Sequence, residues 1–469
     1  MRDRFDLIVV GGGTAGLTAA RIARQLGARV ALVERERIGG DCTWTGCIPS
    51  KALLHVARLA HEARTASSFG IIASGVQVDF TRVMQSVDAT IKRVYAFETP
   101  EVLQSEGVAV VSGQARFCDP HTVDVDGRVL HGRHVVLCTG AEPAVPPIPG
   151  LDDVDYLTTA TVFSLTKLPN RLVVIGGGAT GVELSQAFQR LGSQVTLIES
   201  GDRLLSFADP AASTIITDVL RNEGVEVQLS SSVERVERSG DGIRVTTPEG
   251  AVVGDQMLVA TGRRPVVDGL GLDGIGVETT SKGIVVDEHL RTTQGHIYAA
   301  GDVTGGPQFT HYAGWQGAIA VRNALVPLAS KGVRRRVPWI VFTDPEIAQV
   351  GLTEAEARDE IGNPNVVCYP APEIDRAQTA NELNGFFKLM TQQGGRLVGA
   401  TVVGSGAGET INELSLAIEQ RLTTSDLAPA MHAYPTWGIT VQEASSDVAI
   451  GRLTRGVLGR ILRVVVRRW

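Results

Sequence analysis

Residues 5–16, Phe-Asp-Leu-Ile-Val-Val-Gly-Gly-Gly-Thr-Ala-Gly, decide the fold of the N-terminal half of the chain. Their apolar first half predicts a strand, and their second half has the spacing G-x-G-x-x-G before an alanine-rich helical segment. A second strand, 29–33, ends at Glu34, which is placed to accept hydrogen bonds from a ribose. Such glycines let a pyrophosphate approach the helix N-terminus, where backbone N–H groups attract anions. We therefore predict a dinucleotide-binding unit. Its phosphate contacts are Gly11, Gly13 and Gly16.

The same pattern recurs in residues 171–199, where a strand leads into a second G-x-G-x-x-G sequence and a later strand ends at Glu199. Two fingerprints imply two dinucleotides, and an enzyme that moves electrons between a flavin and a nicotinamide accounts for both. Glu199 would repel a 2′-phosphate, which favours NADH, although Arg203 nearby keeps NADPH as an alternative. The candidate phosphate contacts of this unit are Gly176, Gly178 and Gly181.

Between the first fingerprint and its partner strands lies the stretch 39–51, Gly-Gly-Asp-Cys-Thr-Trp-Thr-Gly-Cys-Ile-Pro-Ser-Lys. Cys42 and Cys47 are five apart, and in an ideal helix their Cα atoms would be roughly 8.5 Å apart. A disulfide needs about 4.4–6.8 Å, so an undistorted helix cannot join them, but Gly46 allows a distortion. We predict a strained, redox-active disulfide; the alternative from spacing alone is a pair of buried thiols.

Composition limits the remaining classes. The net charge of −7 argues against nucleic-acid binding, and five cysteines in 469 residues do not form a secreted disulfide framework. We expect Cys118, Cys138 and Cys368 to be buried free thiols. With no signal-peptide pattern and no long apolar run, we expect a cytoplasmic protein without a membrane span. We predict no resident metal site.

Proline-rich and basic segments suggest the domain boundaries. Four prolines lie between 143 and 149, a strand-to-turn sequence at 257–265 resembles a return to the first domain, and a basic run covers 331–336. The last domain mixes strands (339–342, 386–391, 397–403) with helices (353–360, 408–421). We predict an α/β protein with two Rossmann-like, doubly wound dinucleotide-binding domains and an α+β C-terminal domain. The predicted boundaries are 1–148 with 268–336, 149–267, 337–450, and a tail, 451–469.

The tail, 451–469, is rich in arginine, with leucine, isoleucine and valine interleaved at helical spacing. Basic amphipathic helices lie on anionic membrane surfaces, so a peripheral membrane contact is one interpretation. A helix docked on its own domain and a frayed tail are the alternatives.

Taken together, the chain resembles the flavoprotein pyridine nucleotide-disulfide oxidoreductases over residues 5–450. This family includes dihydrolipoamide dehydrogenase, glutathione reductase and mercuric reductase. The resemblance rests on the two fingerprints and on three further motifs: the cysteine stretch ending at Lys51, Ala300-Gly301-Asp302, and Thr343-Asp344-Pro345-Glu346.

The resemblance implies an assignment of roles. The first unit would bind FAD, the second would bind NADH, and the last domain would form a homodimer. Cys47 would contact the flavin, Cys42 would exchange with the acceptor, and Lys51 would lie near the flavin and pair with Glu183. Further FAD contacts would be Ala115, Thr139, Gly140, Gly301 and Asp302.

One departure concerns the acid–base pair that disulfide-reducing members carry near the C-terminus. Tyr434 stands where the family has a histidine, and Ile439 stands where it has a glutamate. Tyrosine has an ordinary pKa near 10 and is a poor base at neutral pH. His432 is the candidate substitute; on a strand it would face the same side as Tyr434. The alternative is a histidine with a purely structural role.

We therefore predict a mercuric reductase-like, FAD-dependent oxidoreductase that passes electrons from NADH through the cysteine pair to a small-molecule or metal-ion acceptor. A tyrosine at this place resembles the mercuric reductase branch, but no cysteine follows Cys368, so we expect the C-terminal cysteine pair of those enzymes to be absent, as we do their N-terminal metal-binding domain. The alternatives are a dihydrolipoyl dehydrogenase acting through His432, a quinone or metal-ion reductase, and a redox-sensing or membrane-docked electron-transfer partner.

Overall fold

A computed structural model describes residues 3–240 and 242–454. The strands are β1 (Arg4–Val10), β2 (Val30–Glu34), β3 (Ala109–Ser112), β4 (Ala115–Asp119), β5 (Thr122–Val125), β6 (Arg128–Leu137), β7 (Ala141–Pro143), β8 (Arg171–Ile175), β9 (Gln194–Ile198), β10 (Glu226–Gln228), β11 (Arg235–Ser239), β12 (Gly242–Thr247), β13 (Gly250–Gly254), β14 (Gln256–Val259), β15 (Arg263–Pro265), β16 (Thr279–Thr280), β17 (Gly283–Ile284), β18 (Ile297–Ala299), β19 (Trp339–Val341), β20 (Ile347–Gly351), β21 (Asn365–Pro370), β22 (Phe386–Thr391) and β23 (Leu397–Val403).

The α-helices are α1 (Thr14–Gln25), α2 (Gly40–Trp44), α3 (Cys47–Thr65), α4 (Phe80–Tyr95), α5 (Pro100–Ser105), α6 (Ala179–Leu191), α7 (Pro210–Asn222), α8 (Thr310–Leu325), α9 (Glu354–Ile361), α10 (Asp375–Ala380), α11 (Ala407–Glu419), α12 (Thr424–Leu427) and α13 (Ile439–Thr454). The chain divides into two compact units, residues 1–198 with 231–335 and residues 199–230 with 336 onward. The four-part division expected from the sequence stays a prediction.

The first unit is built on a seven-stranded sheet in the order β3-β2-β1-β6-β5-β4, with β18 pairing against β6. Strands β1, β2, β3 and β6 are parallel, and β4 and β5 form an antiparallel extension. Leu7 and Val9 of β1 face one apolar cluster, and Ile8 and Val10 face the other. A parallel strand covered on both faces has no polar alternation, which explains the continuous apolar run at 7–10.

A second parallel sheet of the same unit contains β9, β8 and β14. It has the three-stranded antiparallel sheet β11-β12-β13 beside it. The two dinucleotide-binding folds are joined by a ribbon in which β7 pairs antiparallel with β15. The predicted fold class, two Rossmann-like folds with an α+β C-terminal domain, is confirmed.

Helices α1 and α8 cross closely because small residues line their contact. A Cβ atom at Gly317 of α8 would overlap the carbonyl oxygen of Ala15 in α1, and one at Gly314 would lie 3.4 Å from the methyl group of Thr14. The crossing therefore fixes α8 against the helix that begins at the first glycine loop.

The second unit contains an antiparallel five-stranded sheet, β19-β20-β23-β22-β21, covered by α11. The strands and helices predicted in this domain are present with small shifts at their ends, whereas β20, β21 and α13 were not predicted. A buried Lys388 binds Asp209 at 2.8 Å and Glu354 at 2.9 Å, which joins residues 199–230 to the sheet.

One strand prediction in the first unit was wrong in length. The apolar sequence of residues 297–302 before the carboxylate of Asp302 predicts a buried strand of that whole length, but β18 ends at Ala299. Gly301 has φ +83°, a left-handed conformation that ends the extended backbone and turns Asp302 out of the sheet.

Candidate active site

The first glycine loop has the shape of a phosphate site. Gly11 has φ +105°, and a Cβ atom there would overlap the carbonyl oxygen of Cys138; one at Gly16 would overlap the carbonyl oxygen of Gly11. No side chain caps the N-terminus of α1 at Gly13, so the first-turn N–H groups have no capping partner from the N-cap residue. Glu34 accepts the Gly12 N–H at 2.6 Å. These residues fit a dinucleotide.

The second glycine loop repeats this geometry. Gly176 has φ +109°, and a Cβ atom there would lie 2.6 Å from the carbonyl oxygen of Ala260. A Cβ atom at Gly181 would overlap the carbonyl oxygen of Gly176, while Gly178 at the start of α6 has nothing within 4 Å of its Cβ position. This loop also fits a dinucleotide.

Glu199 belongs to the second unit. Its carboxylate accepts the Gly201 N–H at 2.6 Å and lies 3.2 Å from the Ser200 hydroxyl. Arg203 donates to the carbonyl oxygen of Ser206 at 2.6 Å. Arg203, the arginine near Glu199 that would accommodate a 2′-phosphate, is thus engaged with its own loop, and the preference for NADH stays a prediction.

The other candidate FAD contacts lie in the first unit. Ala115 is buried on β4, the Thr139 hydroxyl donates to the Val266 carbonyl at 2.6 Å, and Gly140 has φ +68°. The Gly301 N–H donates to the Gln316 side chain at 2.8 Å. Burial raises the pKa of the Asp302 carboxyl, and the Arg263 guanidinium opposes that rise.

Cys42 and Cys47 lie on two different helices. α2 ends at Trp44 and α3 begins at Cys47, with Gly46 between them. A Cβ atom at Gly46 would lie 2.9 Å from the Asp41 carbonyl oxygen, so the chain reverses too tightly for a side chain there. The predicted disulfide is not formed in this structure, which holds two free thiols that hydrogen bond to each other. The helix break that the spacing required is present.

The surroundings of Cys47 favour its thiolate. The hydrogen bond from Cys42 lowers the pKa of Cys47 to about 6, against the opposing effect of burial, and the Thr310 hydroxyl and the Lys51 ammonium act in the same direction as Cys42. Thr310 Oγ1 lies 3.1 Å from Cys47 Sγ. Cys47 is also the first residue of α3, and a helix N-terminus favours negative charge.

Cys42 has the opposite character. Its hydrogen bond to Cys47, together with burial, raises the pKa of the Cys42 thiol well above its ordinary range. The pair therefore divides into a Cys47 thiolate and a neutral Cys42 thiol that donates to it.

Lys51 and Glu183 form the predicted ion pair. Lys51 Nζ lies 2.9 Å from Glu183 Oε2, and the Glu183 side chain is only 6% exposed. α3 supplies the lysine one turn after Cys47, and α6 supplies the glutamate just after the second glycine loop. The pair thus joins the cysteine helix to the helix of the second loop.

Sequence reasoning did not single out Thr310. It begins α8, which the crossing with α1 places at the cysteine pair, and it lies 263 residues from Cys47 in the chain. The only local signal is a threonine ahead of the segment 311–325, and a threonine at a helix start usually indicates a cap.

Trp44 packs rather than lining an open surface. Its ring lies 4.7 Å from that of Tyr95 and 4.3 Å from the Arg37 guanidinium, and its Nε1 donates to the Ile38 carbonyl at 2.8 Å. Among the remaining cysteines, Cys138 is buried as expected, but Cys118 and Cys368 are exposed, so the expectation of burial was wrong for those two. Each lies on a strand at a position that faces outward.

Residues 431–434 form no strand, so the shared face that a strand would give His432 and Tyr434 is absent. His432 Nε2 lies 2.9 and 3.0 Å from the two carboxylate oxygens of Glu413, and its Nδ1 lies 2.9 Å from the Ala430 carbonyl. Both nitrogens face acceptors, an arrangement that favours the doubly protonated ring. Burial opposes that charge, but the Ala430 carbonyl and Glu413 outweigh it and raise the pKa of His432.

Tyr434 is largely exposed, and its hydroxyl donates to Asp375 at 2.8 Å. This hydrogen bond raises the pKa of Tyr434, because ionisation would place two negative charges side by side. Ile439 begins α13 and has no ionisable group. Neither Tyr434 nor His432 is therefore arranged as a free base.

Residues 3–240 and 242–454 contain neither a candidate metal-ion cluster nor a helix that could span a membrane. No cluster of three or more histidine, cysteine, aspartate or glutamate side chains there could hold a metal ion. No helix in those ranges has the length and apolar content needed to cross a bilayer. The predicted membrane contact concerns the tail, and residues 455–469 lie outside the described part of the chain.

The chain matches two family models: pyridine nucleotide-disulphide oxidoreductase over residues 5–317, and the dimerisation domain of the same family over residues 337–445. It is 36% identical to a mercuric reductase from Bacillus cereus over 458 residues, 96% of this chain and 73% of that protein. It is also 36% identical to a dihydrolipoyl dehydrogenase from Bacillus subtilis over 458 residues, 95% of this chain and 96% of that protein. A solved Cu(II) complex of the HOCl-induced flavoprotein disulfide reductase RclA from Escherichia coli has a TM-score of 0.84 and 29% identity, covering 94% of this chain and 99% of that one.

Proposed function

Because this chain belongs to the pyridine nucleotide-disulphide oxidoreductase family, we propose that it transfers electrons from NADH through the Cys42–Cys47 pair to a metal ion, as a mercuric reductase-like enzyme. Enzymes of this family use FAD and NAD(P)H, and the dimerisation domain supports a homodimer. The identity of the acceptor is the part that the family does not decide, since its relatives include both mercuric reductases and dihydrolipoyl dehydrogenases.

The two glycine loops supply the cofactor sites in this proposal. Gly11, Gly13, Gly16 and Glu34 would hold FAD, with Asp302 and the residues near 139–140 as further contacts. FAD, when bound, carries the electron pair from the nicotinamide to the cysteines. NADH would bind at Gly176, Gly178, Gly181 and Glu199.

The cysteine pair would pass the electrons on to the acceptor. Lys51, oriented by Glu183, keeps a positive charge beside the Cys47 thiolate, while Cys42 donates its proton in a hydrogen bond. Thiolate sulfur is a soft ligand and selects soft metal ions over hard ones. Once the Cys42 proton has left, the pair presents two sulfurs to such an ion.

The observation that supports a metal ion as the acceptor is the hydrogen bonding of His432 and Tyr434 in the C-terminal loop, residues 430–439. Reduction of a disulfide by NADH consumes one proton and yields two thiols, so the leaving thiolate needs an acid. Reduction of a divalent metal ion to the metal atom by NADH releases one proton and needs no such acid. Both ring nitrogens of His432 are directed at Glu413 and Ala430, and the Tyr434 hydroxyl is directed at Asp375. Neither side chain therefore points a proton at a leaving thiolate, which supports a metal ion as the acceptor.

An acceptor panel tests this proposal. Purified holoenzyme would be assayed with NADH and either Hg(II), Cu(II), lipoamide, glutathione disulfide or a quinone under one set of conditions. We expect kcat/KM for Hg(II) to exceed that for lipoamide by about a hundredfold or more, the usual value of acid–base catalysis. Lipoamide turnover equal to Hg(II) turnover would overturn the proposal. Cu(II) is included because the RclA structure is a Cu(II) complex.

The remaining alternatives make separate predictions. A dihydrolipoyl dehydrogenase acting through His432 would lose lipoamide activity in His432→Gln. A quinone reductase would keep its activity in Cys42→Ser, because quinone reduction needs no thiol. A membrane-docked partner would co-sediment with anionic vesicles only while the tail, residues 451–469, is present. Cytoplasmic location likewise stays a proposal.

A further inference from the structure

Arg263 contacts two carboxylates from distant parts of the first unit. Its Nη2 donates to Asp41 and to the carbonyl oxygen of Ala141, and its Nε lies 3.5 Å from Asp302 Oδ2. The arginine begins β15, in the ribbon with β7 that joins the two dinucleotide-binding folds. Its side chain is 27% exposed and that of Asp302 is 20% exposed. The Asp41 side chain is 51% exposed, so the guanidinium is partly desolvated mainly on the side of Asp302, where a charge-assisted contact is strong.

The two carboxylates serve different parts of the site. Asp302 follows β18 and is a candidate FAD contact. Asp41 lies in α2, immediately before Cys42. Burial raises the pKa of Asp302, Arg263 opposes this, and the negative charge of Asp41 adds to it. Without Arg263, two uncompensated carboxylates would repel each other beside the cofactor site.

α2 is only five residues long and depends on side chains to hold it. Thr43 donates to Glu98 at 2.8 Å, and the Trp44 ring is held by Tyr95 and the Ile38 carbonyl. Asp41, bound by Arg263, is the third attachment, and it is the attachment next to Cys42. Of these three attachments of α2, the contact between Asp41 and Arg263 is the one that also involves Asp302, a candidate FAD contact.

We propose that Arg263 is a positioning residue that links FAD binding to the placement of Cys42, by holding Asp302 and Asp41 with a single guanidinium. This inference rests on the proposed roles of FAD and the cysteine pair. It explains why an aspartate, which would otherwise bring unwanted negative charge to a thiolate site, precedes Cys42.

Affinity for FAD provides the first test. Arg263→Gln leaves Asp302 and Asp41 uncompensated, so the dissociation constant for FAD rises by about tenfold to a hundredfold, the usual effect of losing a hydrogen bond to a charged group. Asp41→Asn alone changes it little. The double variant recovers part of the loss, because one of the two repelling charges is gone; an affinity equal to that of Arg263→Gln alone would overturn the link. Arg264→Gln is the matched control, since Arg264 is exposed on the same ribbon and binds Glu142 and Asp268 instead.

The rate at which iodoacetamide alkylates Cys42 provides the second test. In the reduced protein with saturating FAD, Arg263→Gln and Asp41→Asn both release α2, so alkylation of Cys42 becomes several-fold faster than in the wild type and in Arg264→Gln. Equal rates in all four proteins would overturn the positioning role. Arg263→Lys keeps the charge if Arg263→Gln folds poorly, and it should raise the alkylation rate because an ammonium cannot span both carboxylates.

Both measurements omit the acceptor. A wrong assignment of the acceptor would therefore change neither result, and a failure of the Arg263 link would leave the acceptor panel unaffected.

Discussion

The cysteine stretch, residues 39–51, and the C-terminal loop, residues 430–439, treat their ionisable groups in opposite ways. In the first, a helix start, Thr310 and Lys51 surround Cys47 with groups that favour its ionised, reactive form. In the second, Glu413 and Asp375 bind His432 and Tyr434 and raise the pKa of each. The first region stabilises the Cys47 thiolate, and the second engages His432 and Tyr434 in hydrogen bonds to neighbouring carboxylates. Under the proposed function, the comparison teaches that electron delivery and proton delivery are separable in this fold.

The largest expected effect comes from a substitution in the cysteine stretch. Cys42→Ser removes one of the two sulfurs, so Hg(II)-dependent oxidation of NADH should fall by at least about a thousandfold, as when a nucleophile is deleted. Steady-state absorbance of NADH measures this. Cys118→Ser, which removes an exposed thiol on β4, is the control and should keep full activity. Full activity in Cys42→Ser would remove the cysteine pair from the mechanism.

The next effect would make the C-terminal loop resemble a disulfide-reducing enzyme. The double variant Tyr434→His, Ile439→Glu supplies an imidazole without the Asp375 hydrogen bond and a carboxylate to orient it. Lipoamide turnover should rise by about a hundredfold, the usual contribution of general acid–base catalysis, with Hg(II) reduction nearly unchanged. If lipoamide turnover stays at the wild-type level, the missing acid–base pair is not what limits this acceptor.

A smaller effect concerns Thr310. The folded pKa of Cys47, about 6, lies below its ordinary value, so the thiolate is present above that pH and is lost as the pH falls through it. Thr310→Val removes a hydroxyl that stabilises the thiolate, and the midpoint should rise by about one unit. The long-wavelength absorbance of thiolate against flavin, titrated in the two-electron-reduced protein, reports this midpoint. Thr65→Val is the control, because the Thr65 hydroxyl bonds within its own helix; an unshifted midpoint in Thr310→Val would contradict the assignment.

The smallest expected effect comes from a substitution of His432 in the C-terminal loop. His432→Gln should leave Hg(II) reduction within about twofold but lower the thermal midpoint by about 2 °C. Because the pKa of His432 is raised on folding, its stabilisation is complete below its ordinary pKa and disappears as the pH rises through the folded value. The destabilisation should therefore be larger in acidic than in alkaline buffer, as differential scanning calorimetry would detect. A large loss of activity without loss of stability would make His432 catalytic after all.

The fold was predictable where the signal is local. A run such as Leu7 to Val10 followed by a glycine loop predicts a buried strand and a helix start, and both are present at the expected places. The cysteine stretch was also predictable in part, because a Cys42–Cys47 disulfide cannot form across an undistorted helix. The break between α2 and α3 lies at Gly46, the residue that allows such a distortion. In contrast, no residue of β21 is buried, although every residue of the neighbouring β22 is, and the short sequence 365–370 has no alternation that would predict a strand.

The site was less predictable, because its contacts join residues far apart in the chain. Thr310 and Cys47 are 263 residues apart, and Arg263 and Asp41 are 222 apart. No pattern of local spacing contains such a pair. His432 had a similar difficulty: its partner Glu413 is on α11, so an inspection of neighbouring residues could not show that the ring was occupied.

The contact of Gly317 with Ala15 has a consequence for anyone who would redesign this protein. A one-residue slip of α8 would turn its side chains by about 100° and bring a larger residue against the α1 backbone. Insertions ahead of Thr310 must therefore be absorbed in the loop, because the helix itself has a single permitted register. The hydroxyl beside Cys47 can be exchanged as a side chain, but its backbone position is as fixed as that of the first glycine loop.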